Sequence, residues 1–348
     1  MTYEYDKVVT PSSGLRLHLN ENTGGCSPAV IEALRSITSE EAALYPDYSR
    51  TIAACAAHLG VDERELVLTN GLDEGILATS VAALSGSDNG PFEAIVIVPA
   101  FEMYAACASA AGGRVREIPQ GPDFAFPLAS VLDAINSRTR LIFLTNPNNP
   151  TGLSIARDAV LAIADAASHA TIFVDEAYAD FSGRTMIGDP AMGGRPNIVV
   201  GRTFAKAFGL AALRVGALVA DARLLDPIRR VIPPYNLNLA AAVALRAALQ
   251  DRDHFDSYLR QAAESKRLLY EALERLGVQY WRSDANFVLA NFGKRAPRVL
   301  AGLAERGIHL RDRSNDYGCS GCIRITAGII EHTRRCIQSI EEVLCAVP

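Results

Sequence analysis

The chain has 348 residues, a formal net charge of −5, and 49% hydrophobic against 21% charged residues. That is the balance of an ordinary globular enzyme, long enough for two domains or for one large domain with a satellite. The net negative charge speaks against a nucleic-acid or anionic-membrane surface, and no apolar run approaches the ~20 residues that cross a bilayer. Residues 1–7 lack the basic-then-apolar pattern of a secretory signal, so a cytoplasmic location is expected.

In chain order, the segment before residue 42 carries little periodicity and is expected to pack with the C-terminal part. Apolar, β-branched runs then recur at residues 66–68, 94–98, 141–144, 171–174 and 197–200, each ending in small or polar residues. Continuous rather than alternating runs of this length predict strands buried on both faces of a parallel sheet. Alanine-rich stretches at 75–84 and 156–168 read as helices between them, giving an α/β doubly wound core. Right-handed crossovers bring the polar strand ends to one edge. From about residue 238 the pattern changes to long helices, 239–249 and 255–276, followed by strand-like pieces at 285–290 and 322–326. This predicts a large domain over 42–238 and a smaller α+β domain formed by 1–41 with 239–348. The seven cysteines, an odd and scattered set, suit free thiols in a reducing compartment. Cys319 and Cys322 form the only C-x-x-C; with no second pair for a metal and a strand rather than a helix after it, it reads as structural.

The strand ends hold the chemistry. Asn70-Gly71-Leu72-Asp73 follows a strand and opens a helix, so Gly71 can make a tight turn and the first-turn amides can seat an anion. An ordinary strand–helix turn is the plainer alternative. Phe101, with Tyr104 as a second choice, could stack a flat ring after the next strand, although an aromatic there is commonly core. Asn146-Pro147-Asn148-Asn149-Pro150-Thr151-Gly152 is a rigid loop able to aim the Asn149 amide. Asp175 ends a wholly apolar strand, where a carboxylate needs a cationic partner: a pyridinium nitrogen, or an arginine. Tyr178 follows three residues on. Lys206 lies between Phe204 and Phe208, unlike the usual surface lysine, with Arg202, Thr203 and Arg214 close by in sequence. An amine, a carboxylate, a phenol, an amide and a guanidinium at neighbouring strand ends are the groups that hold pyridoxal phosphate.

This set resembles the fold-type I pyridoxal-phosphate enzymes of the class I/II aminotransferase group. Within it, the chain looks most like the histidinol-phosphate aminotransferases, from Leu19-Asn20-Glu21-Asn22 through Arg324-Ile325-Thr326. The resemblance implies a mostly parallel seven-stranded sheet in the large domain. It implies Lys206 as the Schiff-base lysine and proton shuttle, Asp175 on the pyridinium nitrogen, Asn149 and Tyr178 on the ring oxygen, and Phe101 on the ring face. Gly71, Leu72, Asp73, Thr203 and Arg214 would surround the phosphate. Tyr45 would reach the cofactor of a partner subunit, which implies a homodimer. Asn22, Arg311 and Arg324 would bind substrate, Arg324 through a carboxylate and Arg311 at the distal end. Ping-pong transfer from histidinol phosphate to 2-oxoglutarate is the implied reaction. An aromatic or broad-specificity aminotransferase and a threonine-phosphate decarboxylase share the same pattern. No metal is implied. The chain departs from the group in Thr23, where proline is usual after Asn-Glu-Asn, in Ala205, where serine is frequent, and in a short N-terminal arm.

Overall fold

A computed structural model describes residues 11, 13–86 and 90–345. Residues 1–10 of the N-terminal arm lie outside the described residues. The centre is a seven-stranded sheet of β1 (Leu66–Thr69), β2 (Glu93–Val98), β3 (Arg114–Pro119), β4 (Thr139–Thr145), β5 (Thr171–Asp175), β6 (Ile198–Thr203) and β7 (Gly216–Val219). Their spatial order is β1-β7-β6-β5-β4-β2-β3. β7 alone runs antiparallel to its two neighbours, and the other adjacent pairs are parallel.

Period-two geometry explains why the central runs are apolar at every position. In β4, Ile142 and Leu144 join Ile172, Val174 and Val160 on one face of the sheet. Leu141 and Phe143 join Phe173, Val199 and Tyr104 on the other. The two strands not anticipated from sequence lack this signature. β3 is an edge strand with Arg114, Arg116 and Glu117 exposed. β7 is four residues long and carries no β-branched run.

Register carries the chemistry to one edge. Thr145 lies opposite Asp175, and Asp175 opposite Gly201. Thr203 and Thr69 both pair with Gly216. Because β7 is antiparallel, its first residue meets the last residues of its neighbours, so Arg214 enters beside Thr203.

A second, four-stranded antiparallel sheet is built from Arg311–Asp312, Cys322–Thr326, Phe287–Asn291 and Gln279–Tyr280. The N-terminal segment crosses to it: Leu15–Arg16 pairs with Ile308–His309, and Thr326 N–H donates to the Leu17 carbonyl. Leu15 and Leu17 are buried with Val288 and Ile323. The helix Leu239–Gln250, by contrast, shares a cluster with Leu66, Phe204 and Phe208 of the large sheet's side. All seven cysteines are free, and Cys319 and Cys322 are buried beside Phe124 and Leu289.

The Asn146–Gly152 loop closes against residue 283. Gly152 has φ +77°, and a β-carbon there would sit 2.2 Å from Ser283 Oγ. Gly152→Ala is therefore expected to lower stability by about 2 kcal/mol or more, through left-handed strain and steric overlap together. Urea unfolding measures it, and Ser283→Gly in the same chain should recover part of the loss.

Candidate active site

The strand ends converge on a cleft of about 220 Å³. Of the residues singled out from sequence, Leu72, Asp73, Phe101, Asn149, Asp175, Tyr178, Thr203, Lys206, Arg214, Arg311 and Arg324 line it.

Asp175 forms the floor. It is buried, and burial pushes its carboxyl up to about 6, held back by two donors. Tyr104 O–H donates to Oδ2 at 2.6 Å, and Ala177 N–H to Oδ1 at 2.9 Å. Tyr104 is itself buried, its ring stacked on Phe143 and its hydroxyl accepting from Thr145 at 3.0 Å. Of the two aromatic candidates for ring stacking, then, Tyr104 is committed to the carboxylate. Phe101 stands half-buried at the cleft wall.

Lys206 follows β6 between buried Phe204 and Phe208, and its Nζ donates to the Leu19 carbonyl at 2.9 Å. The neighbouring Arg202 is not a cleft residue: it is buried in ion pairs with Glu176 and Asp180. The Tyr178 hydroxyl oxygen accepts from Asn20 Nδ2 at 2.9 Å. Arg324 is fully enclosed, and burial lowers its guanidinium to about 10. It donates to Asn149 Oδ1 and, at 2.6 Å, to the His18 carbonyl, while its Nε has no partner among the described residues.

The opposite wall is built for an anion. Gly71, at φ +73°, starts the helix Gly71–Leu84, and a β-carbon there would lie 2.5 Å from Arg214 Nη2. Only glycine lets that guanidinium lie against the helix start. Arg214 also meets Asp73 Oδ2 at 3.0 Å. Thr203 and the first-turn residues Leu72 and Asp73 complete this wall.

Of the expected ligand residues, Asn22 and Tyr45 are not brought into this cleft, and Gly71 lies behind its lining, against Arg214. Asn22 faces away: its amide donates to the Ala207 carbonyl and accepts from Gly24 N–H, so it braces the loop after Lys206. Tyr45 is 77% exposed and stacks on Tyr235 at 4.2 Å between ring centroids. Conversely, sequence reasoning missed Asn20, which sits in the cleft with φ +56° and is locked by Thr326 Oγ1. It also missed Arg313, which is buried and bound to Glu102 at 3.0 Å. The left-handed tolerance of asparagine was the available signal for Asn20; Arg313 offered none. Among the described residues no group of three His, Cys, Asp or Glu is arranged for a metal ion.

The aminotransferase class I and II family model matches residues 12–340. A histidinol-phosphate aminotransferase of Geobacillus sp. (strain WCH70) is 35% identical over 95% of this chain and 90% of its own. The chain belongs to the aminotransferase class I and II family. Histidinol-phosphate aminotransferase 2 of Carboxydothermus hydrogenoformans is 34% identical over 94% of this chain and 91% of its own. The fold matches the crystal structure of a Sinorhizobium meliloti histidinol-phosphate aminotransferase in complex with pyridoxal-5'-phosphate, at TM-score 0.84 and 24% identity, covering 96% and 92% of the two chains. This aminotransferase has residues that fit that cofactor: a buried carboxylate on the floor, an amine beside it, and a guanidinium, a hydroxyl and a helix start on one wall.

Burial of Asp175 has a measurable consequence. Its folded carboxyl titrates near 6, above the ordinary 3.8, so the folded state binds the extra proton and stability falls as pH rises through that window. His18, lowered from 6.5 to about 4, acts with the opposite sign. Asp175→Asn in cofactor-free protein should therefore gain stability with pH between about 4 and 6 more steeply than the parent, by roughly 3 kcal/mol across the window. Denaturant unfolding at successive pH values reads this; equal slopes would contradict it.

Proposed function

We propose that the chain transfers an amino group from L-histidinol phosphate to 2-oxoglutarate, in the cytoplasm, with pyridoxal phosphate as cofactor. The observation that carries the reading is the meeting of Lys206, Asp175 and Arg324 in one cleft whose far wall is an anion seat. The donor is suggested by relatives of that name matching nearly the whole chain, and by Arg311, which has no ion-pair partner among the described residues. The location accords with the finding that no described helix is long and apolar enough to cross a membrane.

The cofactor would supply an aldehyde that captures the amine and a protonated ring that draws electron density from the substrate's Cα. Everything else falls to this chain. Lys206 would hold the aldehyde and would be the group that moves the proton of Cα. Asp175, with its two donors, places a fixed negative charge where a ring nitrogen has to stay protonated, and an apolar floor strengthens that pairing. Asn149 and Tyr178 orient the ring through its oxygen. Phe101 covers a ring face. Gly71, Leu72, Asp73, Thr203 and Arg214 hold the phosphate. Arg324 presents two nitrogens to the carboxylate of the 2-oxo acid. Asn22 keeps the Lys206 loop in place rather than touching substrate.

A homodimer is part of the proposal. Tyr45 and Tyr235 form an exposed stacked pair outside the chain's own cleft, a surface suited to a second copy that receives Tyr45 beside its cofactor phosphate. The division into a large unit at 42–238 and a small one of 1–41 with 239–348 is proposed with it.

The purified protein should absorb visible light and lose the band on borohydride reduction. Addition of L-histidinol phosphate should bleach it faster than phenylalanine or phosphothreonine does. Lys206→Ala should abolish both the reducible band and turnover, and normal turnover in that variant would end the assignment. Tyr45→Ala should weaken cofactor retention by about tenfold, the worth of one phosphate hydrogen bond, if the neighbouring subunit's site is completed by this residue. Retention at the parental level in a dimeric variant would remove Tyr45 from the site.

A further inference from the structure

Behind Arg311 lies a second cavity of about 430 Å³. It shares Glu102, Arg311 and Arg313 with the cleft, so the two spaces adjoin at these side chains. His18 and His309 also line it.

His18 is the anomaly. The residue is 3% exposed, yet neither ring nitrogen has a hydrogen-bond partner among the described residues. A buried, unpaired imidazole is costly, and such groups persist where a ligand completes them. Its backbone is fixed by function: its carbonyl accepts from Arg324, and the next residue's carbonyl accepts from Lys206. The ring has no such tie among the described residues.

The groups facing it are mostly cationic. From its own segment comes Arg16, which is paired with Glu21. From a pair of strands come Arg311 and Arg324, and from the strand paired with Leu15–Arg16 comes His309, its ring centroid 6.2 Å away. Across the cavity, Arg313 is held between the carboxylates of Glu102 and Asp316, and Asp312 stands at the rim. Arg313 is thus neutralised by its neighbours, while Arg311 has no ion pair among the described residues. The uncompensated charge therefore sits on the His18–Arg311 side.

The geometry points to His18 as a specificity-determining residue that, with Arg311, hydrogen-bonds a phosphate monoester at the distal end of the amino donor and takes up a proton as that dianion docks. The inference rests on the proposed donor. In the empty site the ring is neutral, held near 4 by burial and by Arg16, His309, Arg311 and Arg324. An arriving dianion reverses that balance, because it pairs with the cations and offers an acceptor to a ring nitrogen. The proton comes from solvent, and no bond is made or broken beyond N–H formation. A donor without the phosphate gives His18 nothing to pair with, so the residue discriminates rather than catalyses.

The test compares holoenzyme with His18→Gln and His18→Leu, using L-histidinol phosphate and L-histidinol, which differ only in the phosphate. The ratio of their kcat/KM values should fall by about tenfold or more in both variants, chiefly through KM for the phosphorylated donor, as expected for a lost charge-assisted hydrogen bond. An equal loss for both donors would assign His18 to support of Arg324 and overturn the inference. A second readout does not depend on turnover. In holoenzyme with ¹³C-labelled histidine, the His18 ring signal, identified by its absence in His18→Gln, should titrate roughly one pH unit higher or more when inorganic phosphate is added. An unmoved titration overturns the role of His18. If the parent instead turns over neither donor while the titration moves, it is the donor assignment of the preceding section that fails, and His18 remains an oxyanion ligand.

Discussion

A carboxylate held out of water at the end of an apolar strand is the constraint around which this molecule is organised. Asp175 has two hydrogen-bond donors and a nearby amine but no ion pair among the described residues. Its burial costs stability in the cofactor-free protein, and a cationic ring nitrogen is the partner that would recover it. The same low-dielectric floor that makes the isolated carboxylate costly makes the pairing strong. Tyr104, Thr145 and Phe143 exist in their present arrangement to hold that group still.

The rest of the site is assembled by chain segments far apart in sequence. The N-terminal strap at residues 18–20 touches Arg324 through the His18 carbonyl, Lys206 through the Leu19 carbonyl and Tyr178 through the Asn20 amide. It is anchored at both ends, by Leu15 and Leu17 in the core of the smaller sheet and by the Asn22 amide on the Lys206 loop. Three consecutive residues thus tie the small sheet, the lysine and the phenol to one another. This strap links the two sheets alongside the direct Arg324–Asn149 contact.

Some of this was legible in sequence for definite reasons. Strands buried on both faces have no polar positions, so β1, β2, β4, β5 and β6 announced themselves, and the polar residues that ended them were marked as the site. β3 and β7 did not: an edge strand with charged outward positions and a four-residue antiparallel strand lack that signature. Tyr104 was visible only as an aromatic after a strand; its contact with Asp175 depends on the β2–β4–β5 register, which local pattern does not encode. The Leu19–Asn22 stretch carries two asparagine amides, and Asn20 rather than Asn22 lines the cleft. A left-handed turn at Asn20 decides which of the two amides faces inward.

The sequence by itself determined which kinds of groups end the strands, and hence the cofactor chemistry, because side-chain composition and the apolar runs before them are local properties. The tertiary structure decided how those groups are wired. Arg324 meets Asn149, Lys206 meets Leu19, and His18 is left with an unpaired ring beside Arg311. These contacts join residues more than a hundred positions apart. Such pairings follow from sheet register and crossover direction acting together, and no window of neighbouring residues contains that information.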